Sequence, residues 1–183
     1  YYMDLVTGEE AQIPFQKEEN EYVTSFSVAE DGSLYILGNS FTYEEESGNS
    51  TNAFKLTKCM TDGTVVYEID LSDLLAGEEN SYIQNMQIDK DGNIYLTNGD
   101  SKIWLLNKDG VQTGIIQVDN YINTMGVTKE GTVIVTMYGA EGIEVKEVDF
   151  EGKAFGQPIT GLASGNGNMM IAPGLEQGLM VSN

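Results

Sequence analysis

The feature that most restricts the fold of this chain is a short pattern centred on a turn, which recurs along the sequence. An apolar run leads to an acidic residue and a glycine, and a second apolar run follows. The clearest copies are "SVAEDGSLYIL" (27–37), "IDKDGNIYL" (88–96) and "GVTKEGTVIV" (126–135). Glycine adopts the left-handed backbone of a tight hairpin without steric cost, and Asp tolerates the position before it. The pattern therefore predicts repeated β-hairpins.

Six acidic-glycine pairs are assigned to such hairpins. The pairs lie at 31–32, 62–63, 91–92, 109–110, 130–131 and 151–152. Two weaker turn candidates, "VTGEE" and "APGLEQG", lie near the two ends of the sequence. Apolar residues between the turns alternate with a period of two, which is typical of strands rather than helices.

The strands that flank the first turn of each repeat are apolar at consecutive positions, as in Leu34-Tyr35-Ile36 and Ile94-Tyr95-Leu96. Such strands are buried on both faces, so sheets must stack on either side. The hairpins between them, such as "KLTKCMTDG", mix charge into the pattern and are expected nearer solvent. Each unit is thus predicted to have two inner and two outer strands.

Four-stranded units that repeat about every 40 residues, each needing neighbours on both faces, are typical of β-propeller blades. The segments "MQIDKDGNIYLTNGDSKIWLLNKDG" and "FSVAEDGSLYILGNS" resemble the repeats of NHL-type and gluconolactonase-like propellers of six to eight blades. The resemblance covers nearly the whole chain but is compositional, and the Asn-His-Leu signature is absent. A β-sandwich of comparable strand count is the alternative fold.

We predict an all-β propeller segment with antiparallel four-stranded blades. The predicted parts form one domain over 1–183: a half blade at 1–15, blades at about 22–69, 82–118 and 121–159, and a half blade at 168–182. The two half blades could close a four-bladed ring. Because four-bladed rings are rare, an arc of a larger ring is favoured.

Composition excludes several functions. The chain has 29 acidic and 9 basic residues, a net charge of −20 and no histidine. Such a charge repels phosphate backbones and anionic lipids, so no nucleic-acid partner is expected. No apolar run approaches the roughly 20 residues that span a bilayer, so no membrane insertion of this segment is expected. Without histidine, His-dependent triads and His-based metal sites are absent from this sequence. The single cysteine, Cys59, rules out an internal disulfide and is expected to be a buried thiol.

Two insertions suggest where binding occurs. "NSFTYEEESGNSTN" (39–52) separates the two hairpins of the first full blade, and "DLSDLLAGEENS" (70–81), expected to include one helical turn, follows that blade. In a meandering sheet, both insertions and the segment "QKEENE" (16–21) fall at the end opposite the Asp-Gly turns. Loops on a rigid scaffold commonly carry binding sites.

The candidate binding residues on this face are acidic or aromatic. They are Glu18, Glu19, Glu21, Phe41, Tyr43, Glu44, Glu45, Glu46, Glu78 and Glu79. Clustered carboxylates attract a cationic ligand, Ca²⁺ or a basic protein surface. The alternatives are solvated acidic loops that favour solubility, and aromatic rings that fold back on the blade edge.

Two other motifs are assigned to structure rather than chemistry. "DKDGN" (89–93) lacks the further ligands of an EF-hand loop and recurs as a hairpin turn, so a hairpin is expected. "SGNGN" (164–168) has neither the lysine nor the following helix of a phosphate-binding loop.

The favoured function is a non-enzymatic scaffold that binds a protein, small-molecule or saccharide ligand, without a cofactor other than Ca²⁺ as a candidate. Its acidic composition suggests the extracytoplasmic part of a larger protein. The alternative is a metal- or cofactor-dependent enzyme, similar to lactonase or quinone-dehydrogenase propellers. For that alternative, the inner strands offer only Asn85, Asn123 and Asn168 as channel-facing ligands.

Overall fold

The computed structural model of the chain describes residues 2–3, 7–77, 82–117, 120–139, 142–159, 170–173 and 179–182. It has two compact units, Tyr1–Ala76 and Gly77–Asn183. Each unit is described by itself below.

The first unit contains a short hairpin, one four-stranded antiparallel sheet and one helical turn. Its elements are β1 (Tyr2–Met3), β2 (Glu10–Ala11), β3 (Glu21–Val28), β4 (Leu34–Glu44), β5 (Asn49–Cys59), β6 (Val65–Asp70) and α1 (Ser72–Leu75). The sheet has the order β3-β4-β5-β6, so each strand pairs with the next along the chain. The helical turn falls where the sequence predicts it, in the insertion after the sheet.

The second unit contains two more sheets of the same kind and one further hairpin. Its elements are β7 (Asn85–Ile88), β8 (Ile94–Thr97), β9 (Lys102–Leu106), β10 (Gln112–Gln117), β11 (Ile122–Val127), β12 (Val133–Gly139), β13 (Gly142–Asp149), β14 (Ala154–Phe155), β15 (Met170–Pro173) and β16 (Leu179–Ser182). Strands β7 to β10 and β11 to β14 are meanders, and β15 pairs with β16.

Inner strands of the second unit lie side by side, because β11 contacts both β7 and β15. One apolar core joins the two sheets. It includes Tyr95, Ile103 and Ile116 from the β7–β10 sheet, and Met125 and Val135 from the β11–β14 sheet. Three four-stranded antiparallel meanders, of which these two stack through apolar faces, are the blades of a β-propeller. The fold class predicted from the sequence is therefore confirmed.

Five of the six predicted hairpin turns have the expected left-handed glycine. Gly32, Gly63, Gly92, Gly110 and Gly131 all have positive φ, between 78° and 85°. Each glycine donates its backbone N–H to the carbonyl three residues earlier, as Gly92 does to Asp89 over 3.1 Å. The sixth turn differs, because Lys153 rather than Gly152 has positive φ, at 50°. Gly152 instead donates its N–H to Asp149 Oδ1 over 2.9 Å.

The predicted equivalence of Tyr35 and Tyr95 is confirmed. Tyr35 pairs with Ser27 and Tyr95 with Gln87, each one step beyond the first pair of its hairpin. Both rings are buried. They occupy the same position in two sheets, as the turn-centred alignment requires.

The first sheet departs from the expectation that all inner strands are buried on both faces. Val23, Phe26 and Val28 of β3 are exposed. Met86 of β7 and Met125 and Val127 of β11, which align with them, are buried. The apolar pattern is the same in all three strands, so the difference lies in what covers each sheet.

Cys59 lies at the end of β5, opposite Leu34, and is fully buried beside Ile36. Its equivalents, Leu106 and Val148, pair with Ile94 and Val133 in the same way. The predicted apolar position is thus confirmed. Burial, together with the nearby Asp62 carboxylate, raises the pKa of the Cys59 thiol above its usual range.

We expect Cys59 to react slowly with a thiol reagent in the native protein, because the reactive thiolate is both scarce and shielded. Denaturation in urea should restore the rate of an unfolded cysteine. The time course of absorbance with a chromogenic disulfide reagent measures both rates. Rapid reaction without denaturant would contradict the buried position.

Candidate functional site

The segments 16–21, 39–52 and 70–76 lie at the same end of the first sheet. Strand register fixes this arrangement: Glu21 pairs with Ser40, and Lys55 pairs with Asp70. The Asp31-Gly32 and Asp62-Gly63 turns lie at the opposite end, where Val28 pairs with Leu34 and Cys59 with Val65. The alternation of loops expected from a meander is therefore observed in this unit.

The 39–52 insertion is an extension of two strands, not an irregular loop. Pairing of β4 with β5 continues from Phe41 opposite Asn52 to Glu44 opposite Asn49. Pairing with β3 ends at Ser40, and pairing with β6 ends at Lys55. Among the described residues, 41–52 is thus a two-stranded ribbon that projects beyond the four-stranded part of the sheet. The ribbon closes at residues 45–48, where Gly48 has φ of 69°.

One face of this ribbon carries aromatic side chains. Phe41 and Tyr43 are two residues apart in β4 and therefore point to the same face. Tyr22 pairs with Asn39, which lies on that face as well. All three rings are exposed. We call Tyr22, Phe41 and Tyr43 the aromatic strip. Of the two alternatives that the sequence left for Phe41 and Tyr43, exposure is the one observed.

The ribbon ends in three consecutive carboxylates, Glu44, Glu45 and Glu46, which we call the acidic tip. All three are exposed. Glu44 accepts a hydrogen bond from Ser47 Oγ over 2.9 Å, which is a contact within the turn. Glu19, in the segment before β3, is exposed too. The tip therefore carries negative charge at the far end of a strand pair whose face is aromatic.

Glu21 does not belong to the exposed acidic surface, contrary to the expectation from its sequence neighbours. It is buried, and its carboxylate lies 3.4 Å from Lys55 Nζ and accepts the Glu18 N–H over 3.1 Å. Gly38 leaves the space that this carboxylate fills, because a Cβ there would overlap Glu21 Oε1. Glu21 therefore stabilises the end of the sheet.

Lys55 offsets more of the acidic charge than the sequence indicated. Its Nζ lies 3.3 Å from Glu18 Oε1 and 3.3 Å from Glu68 Oε1, besides its contact with Glu21. Partial burial opposes the charge of Lys55, but the three carboxylates outweigh it and raise the pKa of the ammonium group. Glu18 is exposed but already paired with Lys55, so it is not a free carboxylate of the acidic surface.

The remaining candidates contribute little to one site. Glu78 and Glu79 lie outside the described residues, as does Asn168. Asn85 accepts a hydrogen bond from Gln87 Nε2 over 3.4 Å, and Asn123 donates to Thr136 Oγ1 over 3.4 Å. Both are side-chain contacts between strand residues. No group of three or more Cys, Asp or Glu residues suited to a metal ion occurs in the part of the chain that the structure describes.

Asp89 has the hairpin role that the sequence predicts for "DKDGN". Its buried carboxylate accepts hydrogen bonds from the N–H groups of Asp91 and Asn93, both over 2.9 Å. Asn93 Nδ2 and Tyr95 Oη donate to it as well, over 2.8 and 3.1 Å. Four donors therefore stabilise the carboxylate inside the turn.

Sequence reasoning missed two residues that shape this end of the sheet, Tyr22 and Lys55. Tyr22 resembles any strand aromatic, and only its pairing with Asn39 places it beside Phe41. Lys17 Nζ lies 5.7 Å from the centre of the Tyr22 ring, within cation–π range. For Lys55, the only signal in the sequence is the charge mixed into "KLTKCMTDG", which places it on a strand near solvent but not beside three carboxylates.

No protein-family model matches this chain, and no curated protein matches it. Solved structures do match. The chain is 13% identical to HIRA(644-1017), with a TM-score of 0.43, over 78% of this chain and 39% of that one. A protein of unknown function from Bacteroides caccae shares 10% identity over 79% of this chain and 62% of its own, with a TM-score of 0.45.

The WD40 β-propeller domain of Doa1 is also similar, with 15% identity over 81% of this chain and 59% of that domain, and a TM-score of 0.43. The chain thus spans less than two thirds of each of these three structures. An NHL or gluconolactonase-like family is not confirmed by these comparisons. Within the described residues, no helix is both long and apolar enough to span a bilayer.

Proposed function

We propose that this chain is a non-enzymatic binding propeller whose ribbon, with its aromatic strip and acidic tip, binds a basic segment of a protein partner. The observation that carries the proposal is the projection of 41–52 beyond the sheet, with the exposed rings of Phe41 and Tyr43 on the same face as the exposed ring of Tyr22 in β3. The location outside the cytoplasm that composition suggested remains part of this proposal.

The aromatic strip supplies the apolar part of such a contact. When a complex forms, exposed Tyr and Phe side chains bury a large area at low entropic cost. Aromatic residues also contribute most of the binding energy at the centres of protein interfaces. A lysine or arginine of the partner would also gain from lying over a ring. These contacts favour a protein segment over a small polar ligand.

The acidic tip supplies attraction at longer range. Glu44, Glu45 and Glu46 extend the negative field of a chain with net charge −20. Complementary charge raises association rates more than it raises affinity, and it is screened beyond about 10 Å at 0.1 M salt. Binding should therefore weaken as the ionic strength rises.

The test is binding of a fluorescent peptide rich in lysine, arginine and leucine, measured by anisotropy. We expect the Phe41→Ala/Tyr43→Ala double variant to raise the Kd about 10- to 100-fold, because interface aromatics each contribute more than about 1 kcal/mol. The Glu44→Gln/Glu45→Gln/Glu46→Gln variant should reduce the salt dependence, because it removes the carboxylates nearest the aromatic strip.

Tyr138→Ala is the matched control, since Tyr138 is an exposed ring in the second unit. It should leave the Kd unchanged. An equal loss in this control, or no peptide binding at low salt, would contradict the proposal. Calcium titration by calorimetry is the parallel measurement. If Ca²⁺ binds the acidic tip and the peptide does not, the ligand is a metal ion and the protein-partner proposal is wrong.

A further inference from the structure

The exposed apolar face of the first sheet has an internal counterpart that is covered. In the β11–β14 sheet, Met125 and Val127 are 0% and 3% exposed, because the β7–β10 sheet packs on them. Their equivalents in the first sheet, Phe26 and Val28, are 67% and 60% exposed. Register makes the comparison direct: Phe26 pairs with Ile36 as Met125 pairs with Val135, and Val28 with Leu34 as Val127 with Val133.

The second unit shows which kind of surface packs on such a face. There, the side that packs on Met125 and Val127 presents Tyr95, Ile103, Leu105 and Ile116 from three adjacent strands. The covering element is thus a four-stranded sheet with an apolar face, and it directly precedes the covered sheet in the sequence. We therefore expect the equivalent face of the β3–β6 sheet to be covered by an element of the same kind.

A segment of the chain already covers part of the first sheet's face. Ile13 and Phe15, which precede β3, pack against Leu34, Ile36 and Cys59. They leave a groove of about 230 Å³ that is bordered by Val23 and Phe26. The uncovered residues lie next to this groove, so an apolar cover for them would be continuous with Ile13 and Phe15.

We propose that Val23, Phe26 and Val28 form a docking face for a further four-stranded blade of the same polypeptide. This inference concerns the ring and is independent of the ligand proposed above. A second copy of the chain fits less well, because two copies with a net charge of −20 each would repel one another. Continuity with the Ile13 and Phe15 segment also favours a cover from the same polypeptide.

The test is the reaction rate of a cysteine placed on the face, Val28→Cys, in the protein as its whole gene encodes it. Val111→Cys is the matched control, because Val111 is 59% exposed in the turn between β9 and β10. The protein without either substitution is the blank, since Cys59 is buried. We expect Val28→Cys to react on the order of 100-fold more slowly than Val111→Cys at every protein concentration.

Two outcomes would overturn the proposal. Equal rates for Val28→Cys and Val111→Cys would show that no blade covers the face. Protection of Val28→Cys that disappears on dilution would show that a second copy covers it. Circular dichroism of both variants establishes that each is folded. Phe26→Cys, at a residue that is 67% exposed on the same face, gives an independent second probe.

Discussion

Replacing Tyr95 with alanine is expected to lower the free energy of unfolding by about 3–5 kcal/mol, the usual cost of truncating a buried aromatic ring. The ring belongs to the core between the β7–β10 and β11–β14 sheets and lies 5.9 Å from the Phe150 ring, centre to centre. Its loss would open a cavity between two sheets rather than within one. Tyr35→Ala should cost a similar amount, because Tyr35 is equally buried at the equivalent position.

Urea denaturation followed by tryptophan fluorescence measures the change, since Trp104 is buried in β9 of the same unit. Tyr95→Phe keeps the ring and removes only the hydroxyl that donates to Asp89, so it should cost about 1–2 kcal/mol. Tyr138→Ala, at an exposed ring, is the control. A cost for Tyr95→Ala no larger than that of Tyr138→Ala would mean that the alignment of the blades is wrong.

Removing the Asp89 carboxylate should be the second large effect. Asp89→Ala is expected to lower the free energy of unfolding by about 2–4 kcal/mol, because partly buried donors that lose their acceptor keep part of their desolvation cost. The donors that lose it are two backbone N–H groups, the Asn93 amide and the Tyr95 hydroxyl. Burial, reinforced by the Asp89 charge, raises the pKa of Tyr95 well above its usual range, so its hydroxyl remains a donor.

Asp31→Ala is the matched comparison for Asp89→Ala. In the corresponding turn of the first sheet, Asp31 accepts the Ser33 N–H over 2.9 Å and the Ser33 hydroxyl, and it lies 3.6 Å from Lys58 Nζ, but its side chain is exposed. Water can replace that acceptor, so the loss should be much smaller. Chemical denaturation of both variants gives the comparison. Equal losses would indicate that the Asp89 network contributes no more than an ordinary turn hydrogen bond.

The Tyr95 and Asp89 effects should also be coupled. Because the hydroxyl and the carboxylate share one hydrogen bond, Tyr95→Phe should cost less in the Asp89→Ala background than in the parent protein. The Gly131 carbonyl lies 3.4 Å from Tyr95 Oη, which links this network to the turn of the neighbouring sheet. Lys90 N–H donates to the Lys129 carbonyl over 2.9 Å beside it.

The sequence by itself determined the strands, their order within each sheet and the equivalence of the repeats. Strand periodicity and turn chemistry are local properties: an Asp-Gly pair between two apolar runs specifies a hairpin wherever it occurs. Once the turns are aligned, the register follows, and with it the burial of Cys59 and the matching positions of Tyr35 and Tyr95. The turn at Gly152 is the exception among the six: the left-handed backbone occurs at Lys153, one residue after the glycine.

Only the tertiary structure decided which apolar and acidic residues are exposed. Phe26 and Met125 occupy the same strand position, yet one is exposed and the other is buried, because burial depends on the neighbouring sheet. Glu21 and Glu19 are alike in sequence, yet Glu21 is buried against Lys55, which is distant along the chain. The aromatic strip likewise forms through pairing across strands, since Tyr22 pairs with Asn39 and shares a face with Phe41 only when β3 and β4 align.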